Sequence, residues 1–165
     1  MWLSDRRKFL GLLAALAGTS CGFVPAYGPG GPAQDLLGKV MVDDPDDKNS
    51  FDFVGRLEER LGRAEGAAYR LSYSISTATV ALGISRSNVI TRYNVTGTIT
   101  YALRHILTDA VLASGSVRNF TSYSASGTVV STAASERDAY LRLMRILADQ
   151  IMTELVAAST SWPGQ

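Results

Sequence analysis

The chain has 165 residues, sixteen Lys and Arg against fifteen Asp and Glu, and a hydrophobic fraction of 46%. That length fits one domain, the near-neutral balance excludes a polybasic nucleic-acid binder, and the apolar content excludes a disordered chain. One cysteine excludes an internal disulfide framework, and one histidine excludes a multi-histidine metal site.

Residues 1–20 read as an export signal. Arg6, Arg7 and Lys8 form a basic n-region, Phe9 to Ala17 an apolar run, and Gly18, Thr19 and Ser20 a small-residue approach to Cys21. The apolar run is too short to cross ~30 Å of hydrocarbon at ~1.5 Å per residue, which argues against a transmembrane anchor. Asp5-Arg6-Arg7-Lys8-Phe9-Leu10 resembles the twin-arginine export motif, and the segment ending at Cys21 resembles a bacterial lipobox. The lone cysteine thus stands where a lipoprotein needs its thiol. Several acyl chains on Cys21 would anchor the protein stably in a membrane. Gly22 follows it, not the Asp of the common inner-membrane retention signal, which directs the chain to the outer membrane. Cleavage removes three cations and one anion. The mature chain keeps thirteen basic and fourteen acidic side chains, a formal −1 that steers no anionic partner.

Residues 21–37 comprise the lipidated cysteine and a Gly/Pro-rich stretch expected to be an extended tether, with Phe23 and Tyr27 docking on the domain. The domain proper spans 38–158. Lys39 to Val42 is a short strand. The acidic loop Asp43 to Asn49 fails the calcium-loop spacing, since Val54 stands where the twelfth-position Glu is required. Ser50 is placed to cap a helix that runs to about Arg63, with Val54, Leu57 and Leu61 as its apolar stripe.

Two long segments then alternate with a period of two. Tyr69 to Thr79 places Tyr69, Leu71, Tyr73 and Ile75 on one face. Val89 to Leu103 places Val89, Tyr93, Val95, Ile99, Tyr101 and Leu103 against Arg92, Asn94, Thr96, Thr98 and Thr100. Such alternation predicts strands with one buried and one wet face. Gly83 to Asn88 join them as a hairpin. Thr108-Asp109 turn the chain into a less regular strand, Leu112 to Tyr123, in which Gly115 is expected to mark a bulge. A small-residue loop leads to a long helix from about Thr132 to Ala158, whose stripe is Tyr140, Leu143, Met144, Leu147, Ile151 and Leu155. Residues 159–165 read as a frayed tail. The order β-α-β-β-β-α predicts an α+β two-layer sandwich, with two helices on one face of a four-stranded, mostly antiparallel sheet.

The chain has no GxGxxG, P-loop, HExxH or CxxC motif. An enzyme would have to work around His105, which sits at a strand end without a nucleophile-elbow sequence. No cofactor is called for. The positive side chains of the sheet are the binding candidates: Arg86 in the hairpin loop, Arg92 on the wet face of the second long strand and Arg118 on the next. An Arg offers a bidentate fork to phosphate, so the wet face could receive a phosphorylated, sugar-bearing lipid head. A merely solvated face is the competing reading. Adjacent, co-directed Arg side chains would discriminate the two.

The segment Cys21-Gly22-Phe23-x-Pro25-x-Tyr27-Gly28, the element order, the Arg92-Tyr93 entry to the long third strand and the closing helix resemble the LPS-assembly lipoproteins of the LptE type. The resemblance implies an outer-membrane lipoprotein, not an enzyme, that sits in the lumen of the LptD β-barrel and helps insert lipopolysaccharide into the outer leaflet. It assigns Cys21 to the lipidated position and Arg86 to the family's basic loop between the second and third strands. A second basic position, in the loop before the last helix, has no counterpart, since residues 124–134 lack Lys and Arg. The surface suits a plug, because wide barrels have polar lumens. The alternative is another envelope lipoprotein, such as an auxiliary module of a lipid ABC transporter. An apolar groove between the helices would favour it.

Overall fold

The computed structural model describes residues 25–84, 89–125 and 127–162. Its elements are β1 (Val40–Val42), α1 (Lys48–Leu61), β2 (Tyr69–Ile84), β3 (Ile90–His105), β4 (Val111–Ser124) and α2 (Val129–Ser159). The sheet order is β1-β2-β3-β4; β1 runs parallel to β2 through the α1 crossover, and the remaining pairs are antiparallel. Both helices cover one face, as the alternation of apolar residues requires. Leu71, Val95, Ile99 and Leu103 meet Phe53 and Leu57 of α1 and Leu143, Leu147, Ile151 and Leu155 of α2 in one core.

Local chemistry moves several boundaries. Asp47, not Ser50, is the N-cap of α1. The Asp47 carboxylate accepts from the Ser50 backbone N–H at 2.6 Å, and Ser50 Oγ accepts from the Asp47 N–H at 2.8 Å, a reciprocal capping box. These bonds hold the Asp47 carboxyl below the ordinary aspartate range. Gly62 ends the helix with a left-handed φ of 76°. Thr128 accepts from the Ser131 N–H, so α2 begins at Val129, earlier than its apolar stripe implies. β2 runs on to Ile84, past the expected end, with a register shift at Leu82.

The expected bulge at Gly115 is not there: Gly115 pairs in register with Tyr101, and the shift falls at Leu112, between the pairs Leu103–Ala113 and Arg104–Val111. The glycine serves a close approach instead. A Cβ on Gly115 would stand 3.0 Å from Tyr101 Oη and 3.2 Å from Glu154 Oε2. The bare backbone lets the Tyr101 ring lie across β4 and donate to Glu154 of α2 at 2.5 Å. Gly97 does the same for the core, since a Cβ there would meet Leu147 at 2.9 Å and Leu143 at 3.1 Å.

The stretch before the domain is not an extended tether over its described part. Pro32–Asp35 form a 3₁₀ turn with the proline in its first turn, where its missing N–H costs nothing, and Ala33 and Leu36 are fully buried. Tyr27 docks as expected: Arg60 donates to its hydroxyl at 3.1 Å and lies over its ring. Phe23, Cys21 and the signal lie outside the described residues. The expected tail is likewise partly folded. Ser159 is buried and donates to the Pro32 carbonyl at 3.0 Å, and Trp162 packs on Tyr69 with 5.3 Å between ring centroids.

Candidate functional site

The sheet face opposite the helices has no covering layer among the described residues. Register places Ser72, Ser74 and Ser76 of β2, Thr96, Thr98 and Thr100 of β3, and Ser114, Ser116 and Ser122 of β4 side by side on it. This is an array of hydroxyls on strands ~4.8 Å apart, with few charges. Phe120 and Val80 are its exposed apolar members.

Arg92 and Arg118 both belong to this face, so they are co-directed. They are not adjacent. Arg92 pairs with Ser124 and Arg118 with Thr98, which separates them by six positions, about 20 Å along the strands. Arg118 Nε donates to Thr98 Oγ1 at 3.0 Å, so part of its donor set is spent within the face. Arg92 is exposed at the other end, in an open depression of about 650 Å³ lined also by Leu82, Gly83, Thr91 and Ser124. Leu82 and Val89 expose 61% and 56% of their surface, so the Arg92 end offers a cation beside apolar side chains. Arg86 lies outside the described residues.

His105 is engaged in the turn after β3. Its Nδ1 accepts from the Leu107 N–H at 3.2 Å and its ring meets Tyr69 edge-on. Three of the four carboxylates of the acidic loop are likewise committed. Asp43 accepts from Arg70 at 2.6 Å, and Asp46 and Asp47 bind Ser50.

The seam between the helices carries an ion-pair clasp that the apolar stripes do not reveal. Arg56 grips Asp149 through two bonds, at 3.1 and 3.0 Å, and Arg60 adds a third at 3.4 Å. This clasp and the Phe53, Leu57, Leu143 and Leu147 side chains close the seam where the auxiliary-transporter alternative needs a groove. Arg56 and Arg60 lie off the Val54–Leu57–Leu61 stripe, and nothing in a period-3.6 pattern says which distant carboxylate they reach.

Comparison with known proteins accords with this architecture. The family model described as LptE, lipopolysaccharide-assembly, matches residues 37–155. A crystal structure from Caulobacter crescentus superposes with a TM-score of 0.67 at 16% identity, covering 79% of this chain and 97% of that one. The rare lipoprotein B from Shewanella oneidensis gives 0.57 at 12% identity, over 74% of this chain and 95% of its own. A minor lipoprotein from Acinetobacter baumannii gives 0.54 at 14%, over 72% and 89%. No curated protein matches the sequence. The structural likenesses carry the fold, and the match across the domain carries the kinship: the chain belongs to the LptE family of lipopolysaccharide-assembly proteins.

Proposed function

We propose that this protein is an outer-membrane lipoprotein, anchored on the periplasmic side through lipid on Cys21 after loss of residues 1–20, that partners and plugs an LptD-type barrel and assists lipopolysaccharide assembly into the outer leaflet. The family match over residues 37–155 carries the reading. The uncovered hydroxyl face supports it, because a domain enclosed by a hydrated lumen has no need of an apolar surface there. The same function requires no catalytic group and no cofactor.

Lipopolysaccharide contact falls to Arg86, Arg92 and Arg118, with Arg92 and Arg118 working as separate points on the sheet face. Arg92, beside Leu82, fits an acylated phosphosugar better than Arg118, which is held by Thr98. Arg92→Ala is expected to weaken lipopolysaccharide binding about tenfold, the scale of one charge-assisted hydrogen bond, and Arg118→Ala less. Equal effects would remove the preference for the Arg92 end.

The deciding experiment is an affinity purification of the C-terminally tagged protein from detergent-solubilised outer membrane, with partners identified by mass spectrometry. A stoichiometric LptD-type barrel is the expected result. Recovery without a barrel, or with inner-membrane transporter subunits, would overturn the proposal.

A further inference from the structure

β4 is an edge strand, and its hydrogen-bonding phase is fixed. The Ala125 N–H donates to the Thr91 carbonyl, so by ladder alternation the odd-numbered residues of β4 pair with β3. The even-numbered ones turn their N–H and C=O groups outward. Two are occupied from within the chain. Asn119 Oδ1 accepts from the Phe120 N–H at 2.8 Å, and Arg142 of α2 donates to the Ser122 carbonyl at 3.4 Å. At the other end the shift at Leu112 disrupts the ladder. Between these protections lies a window, residues 114–118, where Ser114, Ser116 and Arg118 present a regular row of backbone donors and acceptors.

The window is the wall of a groove. A depression of about 410 Å³ runs between it and α2, lined by Ser116, Val117, Arg118, Gln150, Thr153 and Glu154. The buried side-chain oxygen of Gln150 has no hydrogen-bond partner there. Native proteins ordinarily blunt such edges. This one is blunted above and below the groove and open along it.

We propose that this groove receives an extended segment of the barrel partner by strand addition onto β4, an inference that rests on the function proposed above. The matching chemistry is a polypeptide backbone, because only another strand repeats donors and acceptors in the register of Ser114, Ser116 and Arg118. Side chains that alternate towards α2 meet Gln150, Thr153 and Glu154, so they are small or polar, and one donates to Gln150 Oε1. A second copy of this chain does not fit. α2 stands over β4, as the Thr121–Ala139 and Arg142–Ser122 bonds show. Pairing two β4 edges would bring two α2 helices together along the groove and set their Glu154 carboxylates against one another.

The test uses the full lipoprotein purified with its barrel from the outer membrane. Amide hydrogen exchange is followed at residues 114–118 in the isolated chain and in the complex. Strand addition makes the outward amides of Ser114, Ser116 and Arg118 exchange as slowly as the inward ones, which mere enclosure by a water-filled lumen does not. Ser116→Pro deletes an outward N–H that the fold does not use, and edge strands tolerate proline. It should reduce recovered complex about tenfold while the isolated chain keeps its melting temperature. Thr77→Pro, at an outward position on the opposite edge, should leave recovery unchanged. A complex that forms with fast-exchanging outward amides, or equal losses for the two prolines, overturns the inference and leaves the partnership standing. Slow exchange in the isolated chain at high concentration assigns the edge to a second copy and overturns it too. Failure to recover any barrel with the wild type removes both.

Discussion

At Gly115 a single missing methyl group decides how two layers are joined. Tyr101 is 5% exposed, and its hydroxyl reaches Glu154 only because nothing projects from β4 in its path. Gly115→Ala should cost about 1–2 kcal/mol by overpacking, read from the urea midpoint. Tyr101→Phe removes the bond and should cost about 1 kcal/mol. The two effects share one cause, so the double variant should lose less than their sum. Full additivity would show that the Gly115 contact does not act through the Tyr101 hydroxyl. Burial first, and then the Glu154 carboxylate, raise the tyrosine's pKa above its usual value near 10. A raised pKa favours the neutral phenol in the folded state, so this stabilisation is complete below about pH 10 and drains away as the pH rises further. Tyr101→Phe should flatten that alkaline fall. Asp47 runs the other way. Its lowered pKa contributes stability above the ordinary aspartate range that is lost on acidification through the depressed value. Asp47→Ala should cost about 1 kcal/mol at neutral pH, and Asp47→Asn, which keeps an acceptor for the Ser50 N–H, distinctly less.

At the level of elements, the two helices are joined by packing and by one clasp. Arg56 presents two guanidinium nitrogens to the two Asp149 oxygens, with side chains 27% and 38% exposed. Exposed ion pairs are usually worth little, but a bidentate pair shielded by neighbouring helices belongs at the upper end of the range. A double-mutant cycle with Arg56→Ala and Asp149→Ala should return a coupling of about 1 kcal/mol that shrinks in concentrated salt. The clasp also marks how far the sequence could be read. Alternation over 69–103 revealed both long strands and their buried faces, because period two is a local property. The partner of Arg56 lies 93 residues away, and no local pattern encodes it. Gly115 and Gly97 were opaque for the same reason. A glycine in a strand signals a bulge or a close approach, and only the neighbour that approaches distinguishes them. The proline-rich stretch misled because composition resembles a linker, whereas Ala33 and Leu36 supply the anchors that dock it. For the basic residues, the shared face of Arg92 and Arg118 was legible from parity, but parity holds no information on their separation along the strands.

For the whole molecule, the proposed barrel partner encloses the domain, where an adaptor would lie against one side of it, and the two layers distinguish these arrangements. Ser74 stands on the uncovered sheet face, and Arg145 on the exposed side of α2. A partner bound side-on shields one of these and leaves the other in solvent. A barrel around the domain restricts both at once. Under the proposed lipidation the Cys21 thiol is consumed, and the chain has no other cysteine, so a cysteine introduced at either position is the only reactive one. Ser74→Cys and Arg145→Cys should therefore react quickly with a bulky maleimide in the isolated lipoprotein and about tenfold more slowly in the barrel complex, at both positions. A small maleimide should still react in the complex, because a polar lumen stays hydrated. Slowing at one position alone would place the partner on that face and replace the plug by a side-on adaptor. Slowing for large and small reagents alike would describe a dry interface, and a hydroxyl-rich sheet face would then carry the heavy cost of burying unpaired polar groups. The size dependence thus separates enclosure by a wet lumen from docking on a packed surface.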